Sequence, residues 1–230
     1  MKKVCIVGAG AIGSVIGARL AAAGQCDTSV YARGQTLSML KQHGWQLKTS
    51  SSLVQCPARA SDNAADLGCQ DIVFIVVKGP ALSAVAKSIA PLIGPNTIIV
   101  PAMNGVPWWF CKGIAGFGNE PLISADPRGD VARALPFERV LGCVVHASAS
   151  QLEPGLAQEK MWQAMVLGEP SGGESARVSE VVDMLTRAGL SARASPDVRT
   201  EIWFKLWGNM TMNTVSALTG ATIDKILGDP

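Results

Sequence analysis

The sequence predicts an α/β fold, a doubly wound and mostly parallel sheet followed by the start of an all-helical part. Three observations carry this. Short apolar runs alternate with helical stretches from the N-terminus onward. The strongest run, Asp-Ile-Val-Phe-Ile-Val-Val at 71–77, is apolar on both faces, as strands covered by helices on both sides are. After Ser195 the strand-like runs stop and only helical patterning remains.

The elements follow in order. Residues 3–7 (Lys-Val-Cys-Ile-Val) read as a strand that ends at glycine. Residues 11–23 are rich in Ala, Ile, Val and Leu, with small residues at helical spacing, and Gly24 stops this helix. A second strand covers 28–32. Strand, glycine turn, helix and strand thus fit within about 30 residues, the size of a βαβ unit. A helix over 36–43 and a small hairpin or crossover from 45–48 and 53–55 come next. The strand at 71–77 is followed by a helix over 80–92 and a buried strand over 97–100.

From 106 to 138 the pattern weakens. This stretch holds Trp108-Trp109 and many Gly and Pro, and reads as a short helix and a long loop. Strands are expected over 140–147 and 161–167, an amphipathic helix over 175–188 stopped by Gly189, and a short last strand over 191–194. Ser195-Pro196-Asp197 is a helix start: Ser caps, Pro fits the first position, and Asp faces the positive end of the dipole. A long helix runs from there to Leu218 and ends at Gly220. Another begins near Thr222 and stops at Gly228-Asp229-Pro230.

Composition excludes several classes. Apolar residues make up 48% of the chain and charged residues 17%, against roughly 25% in ordinary soluble domains, so a sizeable core is available and disorder is excluded. A net charge of +2 with no basic run argues against nucleic acid or an anionic membrane as partner. Six scattered cysteines without a C-x-x-C, and only His43 and His146, leave no metal-ligand cluster. The cysteines read as free thiols of a reducing compartment. The apolar N-terminal run is interrupted by Gly8, Gly10, Gly13 and Gly17, which fits a folded segment better than a secretory leader. Residues 88–111 are uncharged, but Pro91, Pro95, Pro101 and Pro107 exclude a spanning helix. A cytoplasmic protein is expected.

Gly8-Ala9-Gly10-Ala11-Ile12-Gly13 is G-x-G-x-x-G, placed after a strand and at the opening of a helix. Gly8 permits the tight turn, Gly10 lets a pyrophosphate approach the backbone, and Gly13 lets helix and strand pack closely. The helix N-terminus then offers free N–H groups to phosphates. This makes the sheet a Rossmann-type dinucleotide domain, with residues 1–195 as the cofactor domain and 196–230 as the opening of a helical one. NAD-binding sites usually place Asp or Glu at the end of the second strand. Here Tyr31-Ala32-Arg33-Gly34 stands there, and Asp27 is at the strand's other end. A cation without a carboxylate favours the 2′-phosphate of NADP(H).

Lys78 and Asn104 follow strands whose C-terminal ends line the ligand crevice of such a sheet, so both are candidates to touch the nicotinamide end. On the long helix, Lys205, Asn209 and Asn213 occur at i, i+4 and i+8 and share a stripe that drifts by about 80°. One cation and two amides suit a small oxygenated ligand. The opposite side carries Trp203, Trp207 and Met210. Burial beside Trp203 or Trp207 is the expected means of lowering the Lys205 pKa.

With these residues the chain resembles the ketopantoate reductase (2-dehydropantoate 2-reductase) family. The GAGAIG loop, Arg33, Lys78, Asn104-Gly105 and the Lys205–Asn209–Asn213 helix carry the resemblance, which runs in order from Met1 to Pro230. It implies a Rossmann-type NADP(H) domain followed by an all-helical domain, like that of 6-phosphogluconate dehydrogenase, with the active site between them. It implies reduction of a 2-oxo acid to a 2-hydroxy acid in pantothenate biosynthesis. By position, Lys205 would be the proton donor, and Asn209, Asn213 and Asn104 would bind substrate. Gly8, Ala9, Gly10, Ala11, Ile12, Gly13, Arg33, Lys78 and Asn104 would contact the cofactor. The family's helical domain continues beyond the point matched by Pro230, so the helical part here is expected to be truncated. Homodimers through that domain are implied as well. The family's serine for the substrate carboxylate and its late glutamate have no counterpart, and 106–138 looks longer than in familiar members. A related reductase of another 2-oxo acid is therefore the alternative, and a non-catalytic NADP(H)-binding protein is a third reading.

Overall fold

A computed structural model describes residues 1–120 and 122–228. Strand β1 (Lys2–Val7), the glycine turn, helix α1 (Ala11–Ala23) and strand β2 (Cys26–Tyr31) form the opening βαβ unit, and Gly24 ends α1 in the left-handed conformation. Helix α2 (Gly34–His43) leads to the antiparallel pair β3 (Trp45–Lys48) and β4 (Leu53–Cys56). Strand β5 (Arg59–Ser61) and the short helix α3 (Ala64–Leu67) precede strand β6 (Gln70–Ile75). Sequence patterning missed β5 and α3, since 58–67 is mostly Ala, Ser, Asp and Asn without a clear period.

The single helix expected over 80–92 is broken. A 3₁₀ turn at Gly79–Ala81, helix α4 (Leu82–Ser88) and a second 3₁₀ turn at Ala90–Leu92 replace it. Pro80 and Pro91 each sit inside a 3₁₀ turn, where a missing N–H and a fixed φ are tolerated. Strand β7 (Ile93–Pro101) starts earlier than expected. The segment after it is irregular as far as helix α5 (Asp130–Ala134).

Strands β5-β2-β1-β6-β7 form one parallel sheet in that order. Alternate residues of β1 feed two separate cores: Val4 and Ile6 join one, Cys5 and Val7 the other. This is the doubly covered sheet that the apolar strands required.

The later strands build a second sheet rather than extending the first. Strand β8 (Gly142–Glu153) and strand β9 (Leu156–Gly168) form a long antiparallel hairpin, and β9 pairs in parallel with both β3 and β10 (Ala192–Ala194). Patterning found only the buried halves of β8 and β9, because the hairpin tip is polar and largely exposed. An isolated parallel bridge, Ile99 to Val140, links the two sheets.

Helix α1 lies between the sheets. It packs on β1 and β2 on one side and on β3, β4, β8 and β9 on the other. That explains its small residues. A Cβ on Gly17 would lie 2.2 Å from the indole of Trp45, which is fully buried. At its edge, Arg19 makes a bidentate pair with Glu159 of β9 at 3.0 and 3.1 Å.

Helix α6 (Ala176–Arg187) closes the second sheet, capped by the Ser175 hydroxyl. Glu169 at the end of β9 is held by Ser175 and by Nε and Nη2 of Arg177. Helix α7 (Val198–Gly208) starts at Asp197, whose side chain accepts from Thr200 N–H. The expected long helix continues through a π-turn at Asn209–Asn213 into α8 (Thr214–Thr219) and ends at Gly220. Helix α9 (Ile223–Leu227) follows. The expected stop at Gly228-Asp229-Pro230 lies partly outside the described residues. Among the described residues no helix is long and apolar enough to cross a membrane, and no group of three His, Cys, Asp or Glu could hold a metal ion.

Candidate active site

The glycine turn is shaped by the protein at two positions and left open at the third. Gly8 has φ +100°, and a Cβ there would lie 2.8 Å from the Val76 carbonyl oxygen. A Cβ on Gly13 would lie 2.0 Å from the Gly8 carbonyl oxygen. Gly10 faces open space: nothing lies within 4 Å of its would-be Cβ. Nothing inside the chain thus demands glycine at position 10, whereas an anion seated on the backbone would. Gly10 is the N-cap of α1, with no side-chain cap and no acidic residue in the first turn, so the N–H groups of the Ala11-Ile12-Gly13 turn keep their positive field.

A cavity of about 210 Å³ opens over this turn. Gly8, Ala9 and Gly10 form its floor, with Tyr31, Arg33 and Thr36 at one end and Gln151 from the β8–β9 hairpin above. Among the described residues no carboxylate lines it. Arg33 is the N-cap of α2, exposed, with its guanidinium 6.0 Å from the Tyr31 ring centroid. Asp27, at the opposite end of β2, pairs with Arg59 at 3.6 Å. The residues present fit a dinucleotide pyrophosphate on the turn and a 2′-phosphate beside Arg33. Thr36 and Gln151 escaped the sequence reading. Thr36 stands in the first turn of α2 and had a local signal; Gln151 arrives from a hairpin more than 100 residues away and had none.

Lys78 is exposed at the C-terminal edge of the sheet, just past β6, and lines neither this cavity nor the next. Asn104 does line a cavity. It follows β7 ahead of Gly105, which has φ +94°. The cavity beside it measures about 460 Å³ and is walled by Met103, Val106, Trp108 and Trp109. Cys143 of β8 and Ile202 of α7 close it on the far side. Ile202 is one helical turn before Lys205, so the cavity connects the end of β7 with the helix that carries the lysine.

Lys205 is half-buried, and its Nζ donates to the Val145 carbonyl oxygen of β8. Burial pushes its pKa below the ordinary lysine value, and the nearby Cys143 thiol opposes this. The cause is not the one expected. Trp203 and Trp207 are 59% and 67% exposed, on the outward side of α7, and Lys205 is buried by the β8 side instead. Two neighbours were missed. Cys143 is buried, with its thiol pKa pushed up to about 12 by desolvation. His146 is half-buried, and burial and then Lys205 lower its pKa, while Glu201 raises it. Neither carried a motif; strand register alone brings them to α7.

The π-turn changes the expected stripe. Hydrogen bonds from i to i+5 widen the turn, so each residue advances by less than in an α-helix. From Lys205 to Asn209 the phase drifts forward as expected, and across Asn209–Asn213 it turns back. Asn213 therefore returns toward the Lys205 line. Asn209 is half-buried and Asn213 exposed, and neither lines the two cavities.

Comparison with known proteins is consistent across sequence and structure. A family model described as ketopantoate reductase PanE/ApbA matches residues 4–172. A 2-dehydropantoate 2-reductase of Mesorhizobium japonicum is 40% identical over 99% of this chain, which spans 70% of that protein. One from Archaeoglobus fulgidus is 28% identical over 100% of the chain and 68% of its own length. A solved structure from Ralstonia solanacearum MolK2, given the provisional name ketopantoate reductase, superposes with a TM-score of 0.95. It is 49% identical over 100% of this chain and 71% of that one.

Proposed function

The chain belongs to the ketopantoate reductase family, and on that basis we propose that it reduces 2-dehydropantoate to pantoate with NADPH, a step of pantothenate biosynthesis. The observation that carries this reading is the 460 Å³ cavity. One wall is Asn104, at the sheet's ligand-binding edge, and another is Ile202, one turn before the half-buried Lys205.

Bound NADPH supplies the hydride. Gly8 to Gly13 would hold its pyrophosphate, Arg33 its 2′-phosphate, and Lys78 and Asn104 its nicotinamide half, with Thr36 and Gln151 closing the adenosine end. Lys205 is the proton donor. One of its three N–H groups goes to the Val145 carbonyl, which leaves two for a substrate oxygen. As negative charge grows on that oxygen, the ammonium stabilises it and then transfers a proton to it. The lowered pKa makes Nζ a stronger acid for this task. Asn104, Asn209 and Asn213 orient the oxo acid through amide hydrogen bonds.

We take residues 1–195 as the cofactor domain and 196–230 as the first part of the helical substrate and dimerisation domain. A cytoplasmic homodimer fits this reading: all six cysteines are free thiols, and α7 and the π-turn after it carry exposed apolar side chains at Trp203, Phe204, Trp207 and Met210. The test is NADPH consumption with 2-dehydropantoate. Turnover with pantoate as product is expected; NADPH binding with no turnover would leave the non-catalytic alternative.

A further inference from the structure

The cavity beside Asn104 is roomy and mostly apolar. At about 460 Å³ it exceeds by far the roughly 150 Å³ in which an apolar cavity holds a benzene ring. Among the described residues no charged side chain lines it, and Ser83, Asn104 and Ser124 stand there with the Cys143 thiol and the two indoles. Trp108 and Trp109 are 3% and 2% exposed, so their rings are fixed in the wall.

The wall is held from behind. Leu122 N–H donates to the Trp108 carbonyl at 2.9 Å, and the Arg199 guanidinium of α7 donates to the Lys112 carbonyl. The buried Asp126 carboxylate accepts from Val131 and Ala132 N–H at the start of α5. Asp130 joins Lys87 of α4, Arg128 and Arg133 at 2.9, 3.0 and 2.6 Å. The long irregular segment is thus a pre-formed surface, of the kind that ligand sites use.

We propose that this cavity is the side-chain pocket of the substrate site and takes the apolar substituent of a 2-oxo acid, up to an aromatic ring. The proposal rests on the reductase reading above. Asn104 at the rim takes the polar oxo-acid end, which faces Lys205, and the substituent points between Trp108, Trp109 and Ile202. The chemistry is unchanged: hydride from NADPH to C2, and a proton from Lys205 to the carbonyl oxygen. The pocket sets which substituent is preferred.

The test is a series of 2-oxo acids with NADPH: pyruvate, 3-methyl-2-oxobutanoate, 4-methyl-2-oxopentanoate and phenylpyruvate, with 2-dehydropantoate as reference. The expected result is a kcat/KM that rises with apolar size, by about a hundredfold or more from pyruvate to the larger acids, since each added methylene in a fitting pocket is worth about tenfold or more. Ala125→Phe, which narrows the cavity, is expected to lower kcat/KM for phenylpyruvate at least about tenfold more than for 2-dehydropantoate; this is the loss of roughly one ring's fit. Ser83→Phe is the second variant, should the first not fold. Calorimetric titration of the same acids into the NADP-loaded protein reads the preference without turnover. A flat or falling series in both measurements, with 2-dehydropantoate still reduced, would overturn the pocket alone. No turnover of any acid would overturn the reductase reading, and the calorimetric series would then decide the pocket by itself.

Discussion

Lys205 and Arg33 are both cations, and their surroundings give them opposite tasks. Arg33 is exposed at the N-terminus of α2, where it meets a ligand from solvent. Replacing it with alanine is expected to raise the Michaelis constant for NADPH about ten- to hundredfold, the size of one charged hydrogen bond of about 1.5–3 kcal/mol, with little change for NADH. Equal changes for both cofactors would remove its 2′-phosphate role. Lys205 is half-buried against β8, and that burial holds its pKa low. In the proposed reaction its acid form is the active one, so activity is expected to be full below the lowered pKa and lost as pH rises through it. The alkaline limb of kcat/KM should therefore fall below the ~10.4 of free lysine. A limb at or above that value would mean that another group supplies the proton. The residue types were readable from spacing, but the burial partner was not. An α-helix argument placed Trp203 and Trp207 opposite Lys205, and only the packing of α7 on β8 reveals which side faces inward.

At the scale of elements, α1 explains the most. Pattern alone gave its limits, its glycine stop and its phosphate turn, because the small residues and the G-x-G-x-x-G spacing are local signals. That it lies between two sheets was not local, and this is the reason for Gly17. Gly17→Ala gains helix propensity but drives a methyl into Trp45, which has no room to move. Overpacking of this kind costs about 1–3 kcal/mol, so a lower thermal midpoint is expected, by roughly 2–4 °C per kcal/mol for a chain of this size. A midpoint equal to or above that of the parent would show that the two sheets yield at this point. Elsewhere the misses have physical causes. The outer halves of β8 and β9 put only small residues such as Ala147, Ala149 and Ala157 on their inner face, among Ser, Gln and Glu, so no strong period marks them. Pro80 and Pro91 divided a helix that hydrophobic spacing had joined. The π-turn at Asn209–Asn213 has no sequence signature, yet it sets the phase of the second asparagine.

Across the whole molecule, the proposed site draws on three separate parts of the chain. The glycine turn and Arg33 come from the first 35 residues, Asn104 and the Trp pair from the middle, and Lys205 from α7. The glycine turn could be read directly, since G-x-G-x-x-G is a short motif. The Trp108–Trp109 wall could not, because it is held by the Arg199 bond to the Lys112 carbonyl and the Lys87–Asp130 pair, which act across the fold. The central claim is that Lys205 completes a reductase site whose cofactor is held elsewhere. Lys205→Ala in the NADPH and 2-dehydropantoate assay tests it most directly. Turnover should fall by about 10²–10⁴-fold, as loss of a positioned general acid does, while titration still shows NADPH binding. Turnover close to that of the parent protein, with NADPH bound normally, would contradict it.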